Sequence, residues 1–160
     1  MDMFHIPQDA LPIELLGPAA DAAGRTGTWV SLKNALRAFI VVHITQGNAA
    51  TVQLDPQQAS AVAGTDAKAL SNNCQIWHDQ DLAAGNVFTR ATDAKTFTTS
   101  AAVKHKCVVF QIDPALLDVA NGFDCITLVT GASNAANITS AMLYVVPRYA
   151  EAGAPSYLTD

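Results

Sequence analysis

The chain has 160 residues, a length that suits one domain with a core of its own and requires neither a structural metal nor a disulfide. Half of the residues are hydrophobic and only 14% are charged. The surface must therefore carry few charges, or part of it must be covered by other protein. The net charge is −5 and the nine Lys and Arg residues are scattered, which argues against nucleic-acid binding, because phosphate recognition needs clustered cations.

Charge and hydropathy also argue against membrane insertion and secretion. No run reaches the roughly 18 apolar residues of a membrane span, and Asp2 stands where a secretion signal carries Lys or Arg. The closest basic pair, Lys104 and Lys106, is expected on one exposed face at the start of a strand. An odd number of cysteines without a secretion signal predicts reduced, buried thiols, at Cys74, Cys107 and Cys125.

Residues 1–24 are expected to form an extended N-terminal arm, because Pro7, Pro12 and Pro18 interrupt any regular periodicity. The segment is too apolar to be disordered, so something should bury its large side chains: Phe4, Ile6, Leu11, Ile13, Leu15 and Leu16. Two alternatives stay open, packing on its own domain and reaching over a neighbouring subunit. Residues 150–160 have a similar character and are expected to form a C-terminal tail.

Residues 25–149 carry short strand signals rich in Val, Ile, Thr and Phe, separated by Gly, Asn and Asp. The predicted strands are 28–32, 38–46, 50–54, 74–78, 86–91, 95–100, 106–112, 125–130 and 141–146. Three of them contain near-continuous apolar runs, "FIVVHI", "CVVF" and "LYVV". Such runs suit strands covered on both faces, as at the centre of a sandwich or at a subunit contact.

Two short helices are predicted where an Asp-Pro pair offers a capping carboxylate followed by a proline at the first helical position. These pairs lie at 55–56 and 113–114, and the helical patterns end at Gly64 and Gly122. Both pieces are too short for a crossover between parallel strands. The sequence therefore predicts an all-β domain, an antiparallel β-sandwich or a jelly-roll-like barrel, with one or two short helices and extended terminal arms.

The chain contains no recognisable catalytic motif. Its glycines do not have the spacing of a P-loop, and none of its serines lies in a Gly-x-Ser-x-Gly elbow. A Cys–His pair formed only in three dimensions stays open, but a nucleophilic thiol needs exposure and a lowered pKa. We therefore expect neither enzyme activity nor a cofactor.

Metal binding is weakly indicated at three places. Cys74 and His78 are four residues apart, and His105 with Cys107 would share one face of a strand. No CxxC or HxxxH spacing is present, so core cysteines and single satisfied histidines explain these residues better. The segment "WHDQDLAAG" reads as a solvated loop, since calcium would need more oxygen ligands at set spacing.

Three stretches, "GTWVSLKNALRAFIVVHITQG", "ASAVAGTDAKAL" and "IDPALLDVANGFDCITLVTG", followed by "LYVVPRY", resemble a family of small structural proteins of tailed bacteriophages and prophages. The resemblance covers about residues 24–149. Such proteins are similar in kind to head decoration, or cement, proteins, which are β-rich subunits on the capsid lattice. The resemblance implies no catalytic residues.

The resulting expectation is a virion protein, made in the host cytoplasm, that stabilises the head by bridging capsid subunits. Its partners would be the major capsid protein or another virion protein and further copies of itself, with no nucleic acid and no membrane. The alternatives are a neck, tail or fibre subunit and a carbohydrate-binding sandwich. The residues expected to anchor the arms on a partner are Phe4, Ile6, Leu11, Ile13 and Tyr157.

Overall fold

The computed structural model describes residues 4–149 and 156–159, which form two antiparallel β-sheets. The strands of the first half are β1 (Leu11–Ala20), β2 (Arg25–Thr26), β3 (Val30–Ser31), β4 (Ala35–Gln46), β5 (Gln53–Ala59) and β6 (Lys68–Ala69). Those of the second half are β7 (Gln75–Asp79), β8 (Thr89–Arg90), β9 (Phe97–Thr98), β10 (His105–Ile112), β11 (Cys125–Thr130) and β12 (Asn137–Pro147).

Sheet A has the order β1-β12-β4-β10-β7-β8, and sheet B has the order β2-β11-β5-β6. Strand β3 also pairs with β11, and β9 also pairs with β5. The prediction of an all-β antiparallel sandwich is thus confirmed, whereas the alternative of a barrel is wrong, because the two sheets do not close on each other. In the part of the chain that the structure describes, no helix has the length and apolarity needed to cross a membrane.

The core lies between the two sheets and is built by alternation along the strands. From Ala38 to Gln46, every second residue of β4 is buried, and the residues between are half-buried or exposed. Strand β10 alternates in the same way. Because successive side chains of a strand point to opposite faces, each apolar run contributes one face to the core. Core residues include Ala38, Ile40, Val42, Ile44, Val108, Phe110, Ile112, Ile126 and Leu128.

The helix predicted at 55–64 is wrong, because residues 55–59 belong to strand β5. Leu54 and Pro56 are buried, while Asp55 between them is only half-buried, so the period is that of a strand. Pro56 faces Leu128 of β11 on one side. On the other side β5 pairs with β9 at Gln53 and Leu54 and with β6 at 57–58. Pro56 falls between these two short ladders, where its missing N–H is not needed.

The second predicted helix exists as two 3₁₀ turns, Pro114–Leu116 and Val119–Asn121. The Asp113 carboxylate accepts a hydrogen bond from the Ala115 N–H at 2.9 Å, so the predicted cap is present. Gly122 ends the second turn with φ of 81°, a conformation that glycine adopts without strain.

Part of the segment predicted as an N-terminal arm forms strand β1, which pairs with β12 along the edge of sheet A. Leu15 and Leu16 of this strand are almost fully buried in the core. In the C-terminal segment, residues 150–155 lie outside the described residues. Tyr157 beyond them is 3% exposed, and its carbonyl accepts a hydrogen bond from the Ser31 N–H at 2.7 Å. Strand β1 and Tyr157, in the described parts of the two terminal segments, therefore contact this domain.

Lys106 is fully buried, so the expectation of an exposed side chain is wrong. Its ammonium group donates hydrogen bonds to Gln46 Oε1 at 2.8 Å, to the Ser100 carbonyl at 2.6 Å and to Ser100 Oγ at 3.0 Å. Thr99 Oγ1 donates to the same Gln46 oxygen at 2.9 Å. These bonds use all three ammonium donors, which is what allows the charge to be buried without an acidic partner among the described residues.

A buried ion pair joins the two sheets at one corner. Asp21 is fully buried and its Oδ1 accepts from Arg25 Nε and from Thr130 Oγ1, both at 2.9 Å. The Arg25 guanidinium also donates to the Gly17 carbonyl of β1 at 2.8 Å and to the Thr139 carbonyl of β12 at 2.6 Å. The pair therefore connects strands of sheet A to β2 and β11 of sheet B.

Deletion of residues 1–20 is expected to abolish the cooperative unfolding transition, because it removes Leu15, Leu16 and the outer strand of sheet A. Deletion of residues 1–8, a matched control that keeps β1, is expected to leave the midpoint of thermal unfolding unchanged. Circular dichroism of both truncated chains makes the comparison. A native-like transition after the longer deletion would show that β1 is not needed for the fold.

Burial lowers the pKa of Lys106 from its ordinary value of 10.5. Between the lowered pKa and 10.5, the unfolded chain binds more protons than the folded chain, so stability should rise with pH in that window. We expect the free energy of unfolding of the natural chain to increase relative to that of Lys106→Met as the pH rises towards 10.5. Urea unfolding of both chains measures this difference, and a difference independent of pH would contradict the prediction.

Candidate interaction surface

The outer face of sheet A, the face turned away from sheet B, carries an apolar row across four strands. Val41 of β4 lies opposite Met142 of β12 on one side and Val109 of β10 on the other. Val109 in turn lies opposite Trp77 of β7. Directly opposed residues share a face of the sheet, so these four side chains form one continuous row.

A second row lies beside the first. Phe39 of β4 lies opposite Tyr144 of β12 and Gln111 of β10. All the side chains of both rows are half-buried except that of Trp77, which is exposed at 37%. We call the apolar members of these rows the apolar face: Phe39, Val41, Trp77, Val109, Met142 and Tyr144.

The outer face of sheet B has a different character. Along β5 the outward residues are Gln53, Asp55 and Gln57, of which Asp55 lies opposite Val129 of β11. Gln57 Nε2 donates to Asp55 Oδ2 at 2.8 Å. An ordinary solvated sheet face alternates with the core in this polar manner. The apolar face of sheet A is therefore the unusual surface of the molecule.

The apolar face explains the near-continuous apolar runs of the sequence. In "FIVVHI", Ile40, Val42 and Ile44 point into the core, while Phe39 and Val41 belong to the apolar face. Sheet B covers only the inner side of these strands. The sequence offered two explanations for these apolar runs. A central position between two covering layers does not hold for sheet A, and a contact with another subunit stays a prediction.

Next to the apolar face, the sheet brings together residues that the sequence could not place. Cys107 of β10 lies opposite His43 of β4 and Asp79 of β7. The His43 and His105 rings stack with their centroids 6.2 Å apart. A histidine, a cysteine and a carboxylate thus lie side by side in one row, and these are the residue types that a thiol enzyme combines.

The chemistry of this row is unfavourable for a nucleophile. Burial raises the pKa of the Cys107 thiol, and the negative charge of Asp79 raises it further. An activated cysteine has the opposite shift, because the thiolate is the reactive form. In the core, burial raises the pKa of the Cys74 thiol to about 11. Among residues 4–149 and 156–159, no three His, Cys, Asp or Glu side chains are arranged to hold a metal.

The other residues that the sequence analysis weighed as metal ligands have local partners. Cys74 Sγ donates to the Ala94 carbonyl at 3.3 Å, and the His78 ring packs 5.0 Å from the Phe97 ring. His105 Nδ1 lies 3.3 Å from Thr45 Oγ1. Each group is explained by its neighbours within the sandwich, and none of these contacts requires an ion.

The five predicted partner contacts fall into two groups. Phe4 and Ile6 are exposed at 68% and 58%, so their side chains are available to another molecule. Leu11 and Ile13 lie in β1 opposite Val145 and Leu143 and are packed against the core. Tyr157 is a member of the core itself.

Comparison with known proteins shows a fold relationship alone. No protein-family model matches the chain, and no curated protein matches it. Among solved structures, the chain is similar to the SPBc2 prophage-derived protein YomS, with a TM-score of 0.51 and 11% sequence identity. The similarity covers 91% of this chain and 99% of that one. The sandwich described above is therefore a fold that also occurs in a prophage-derived protein.

The raised pKa of Cys107 predicts slow alkylation at neutral pH. We expect the rate of Cys107 modification by iodoacetamide, followed by mass spectrometry of the peptide, to keep rising above pH 9.0, the ordinary value for this thiol. A short peptide containing one free cysteine provides the reference curve. A plateau below that of the peptide would reveal a stabilised thiolate and would favour an enzyme.

Proposed function

We propose that this chain is a structural protein of a tailed-phage particle, a capsid decoration protein that stabilises the head by bridging capsid subunits. The observation that carries the proposal is the apolar face of sheet A, presented on a fold that also occurs in a prophage-derived protein. The sequence resemblance to phage structural proteins supports the same assignment.

The composition of the apolar face is that of an interface centre. Aromatic residues and methionine are enriched at protein interfaces, and charged residues are depleted from their cores. Trp77, Tyr144, Phe39 and Met142 provide these residue types within two adjacent rows. Burying such side chains contributes about 25 cal/mol for each Å² of apolar surface removed from water.

A contact surface of modest area is sufficient for a protein that binds a capsid lattice. A decoration protein meets many equivalent partners, and simultaneous contacts of one oligomer add avidity without any new kind of contact. In the proposed assembly, the apolar face contacts the major capsid protein or a further copy of this chain, and Phe4 with Ile6 provides a second contact. The proposed role involves no catalysis, cofactor, nucleic acid or membrane.

A carbohydrate-binding module is the second candidate. The exposed ring of Trp77 favours it, since sugar rings stack on exposed aromatic side chains. The neighbouring Val41, Val109 and Met142 favour a protein partner instead, because they offer no hydrogen bonds to hydroxyl groups. A glycan array with the purified chain separates the two candidates.

The first test is the copy number of the chain in purified particles, measured by quantitative mass spectrometry against the major capsid protein. We expect about one copy, or about one third of a copy, per capsid subunit, because a decoration protein follows the symmetry of the lattice. A handful of copies would assign the chain to the neck, the tail or a fibre. Absence from the particle would refute the virion proposal.

The second part of the test uses variants. Val41→Lys places a charge at the centre of the apolar face, and we expect its occupancy on particles to fall by about tenfold or more. Gln57→Lys introduces the same charge on the outer face of sheet B and serves as the matched control with unchanged occupancy. Thermal unfolding of both variants verifies that each is folded. Equal occupancy of the two variants would exclude the apolar face as the contact.

A further inference from the structure

We propose that the apolar face of sheet A binds a second copy of this chain, in a two-fold symmetric dimer whose two A sheets pack face to face. The inference names the partner of the surface on which the proposed function rests. It starts from the first apolar row, which continues to both edges of sheet A and has a charge of opposite sign at each end.

The two ends of this row are Glu14 and Arg90. Glu14 of β1 lies opposite Met142 of β12, and Arg90 of β8 lies opposite Trp77 of β7. Directly opposed residues share a face of the sheet, so the two charged side chains flank the apolar face. From end to end, the row consists of Glu14, Met142, Val41, Val109, Trp77 and Arg90.

Both charged residues are available to another molecule. Glu14 is exposed and forms no ion pair within the described part of the chain. The Arg90 side chain is 47% exposed, and its Nη2 atom donates to the Asp93 carboxylate at 2.9 Å. A guanidinium has five N–H donors, so Nε and Nη1 of Arg90 can still bind a second carboxylate.

A two-fold axis determines which residues meet when two such faces pack together. Consider an axis that lies between the two sheets, runs along the strands and passes between β4 and β10. Strand β1 then faces β8 of the other copy, β12 faces β7, and β4 faces β10. Glu14 of each copy therefore faces Arg90 of the other, and the contact occurs twice in the dimer. Packed sheets commonly align their strands to within about 30°, as this arrangement requires.

The same axis makes the centre of the first row self-complementary. Val41 of one copy faces Val109 of the other, so two side chains of equal size meet at the axis. Met142 faces Trp77, which brings a thioether against an aromatic ring, a favourable pair. The order of residue types along the row therefore matches the reverse order in the second copy.

The second row supports the same axis. Beyond Phe39 it continues through Gln111 of β10 to Gln75 of β7. About the axis, Phe39 faces Gln111 of the other copy, and Tyr144 faces Gln75. A side-chain amide can donate an N–H to the face of an aromatic ring, which is a weak but favourable contact. Neither row brings two like charges together.

The charges also select against the other symmetric way to pack two such faces. An axis that ran along the row would lay each strand on its own copy, with Glu14 on Glu14 and Arg90 on Arg90. Like charges opposed across an interface are unfavourable and suppress the wrong orientation. The opposite charges at the two edges thus favour the axis along the strands.

The dimensions of the face fit a weak dimer. Neighbouring strands are about 4.8 Å apart, so a row across the 6-stranded sheet is about 24 Å long. The two apolar rows and the row of Cys107, at about 7 Å spacing, cover about 500 Å² of each copy. The resulting total of about 1,000 Å² is at the low end for specific interfaces, and we expect a dissociation constant of about micromolar size.

The experiment is sedimentation velocity of the full chain at concentrations from about 1 to about 200 µM. We expect a monomer at the lowest concentration and a dimer at the highest. Val41→Lys, at the centre of the face, should weaken the dimer by about tenfold or more. Gln57→Lys introduces the same charge on the outer face of sheet B and should leave the association unchanged.

Charge reversal tests the symmetry itself. Glu14→Arg and Arg90→Glu should each weaken self-association by about tenfold or more, because each variant opposes like charges twice in the dimer. Combining both substitutions in one chain should restore most of the affinity, since the pair is re-created in reverse. An equimolar mixture of the two single variants should also dimerise, because opposite charges then meet at both contacts. A variant that merely damages the fold cannot regain affinity in this way.

A natural chain that stays monomeric at the highest concentration, or that forms a trimer, would overturn the inference. So would a dimer that Val41→Lys leaves intact, or single variants that do not associate in the mixture. Copy number on particles is measured separately from these associations. A monomeric chain present on particles would therefore refute the dimer alone, and a dimeric chain absent from particles would refute the virion role alone.

Discussion

Strand β4 lies between β10 and β12, and its register with these two neighbours is the constraint on which the rest of the structure depends. The alternation of β4 places Ile40, Val42 and Ile44 in the core. A shift by one residue would send these side chains to the outside and bring Phe39, Val41 and His43 into the core. The same register therefore decides both the stability of the sandwich and the composition of its outer surface.

Two buried polar groups reinforce this arrangement where apolar packing ends. Lys106 connects β10 to Gln46 at the end of β4, and Asp21 with Arg25 connects the edge of sheet A to sheet B. The Lys106 charge is tolerated because three acceptors receive its hydrogen bonds, and the Asp21 charge because Arg25 and Thr130 both donate to its Oδ1. These contacts are directional, unlike the apolar packing between the sheets, and they restrict how the two sheets can sit on one another.

The outer face of sheet A links the fold to the proposed function. Its centre is apolar and aromatic, and a polar row with Cys107, His43 and Asp79 lies beside it. The raised pKa of Cys107 is the opposite of the shift that an activated thiol shows, and contact with another molecule is the role that we propose for this surface.

The sequence by itself determined the all-β class, the strands β4, β7, β10 and β11, part of β12 and the capped turn at Asp113, because these depend on side-chain alternation and on local backbone chemistry. It did not indicate β1, which the prolines made look like an extended arm. Only the tertiary structure decided that Pro56 lies in a strand, since a gap between two short neighbouring ladders accommodates it. It also decided the burial of Lys106, whose acceptor Gln46 is 60 residues away in the chain. The tertiary structure also placed Cys107 opposite His43 and Asp79. Strand order and register arise from the packing of the whole domain, so they leave no local signal in the sequence.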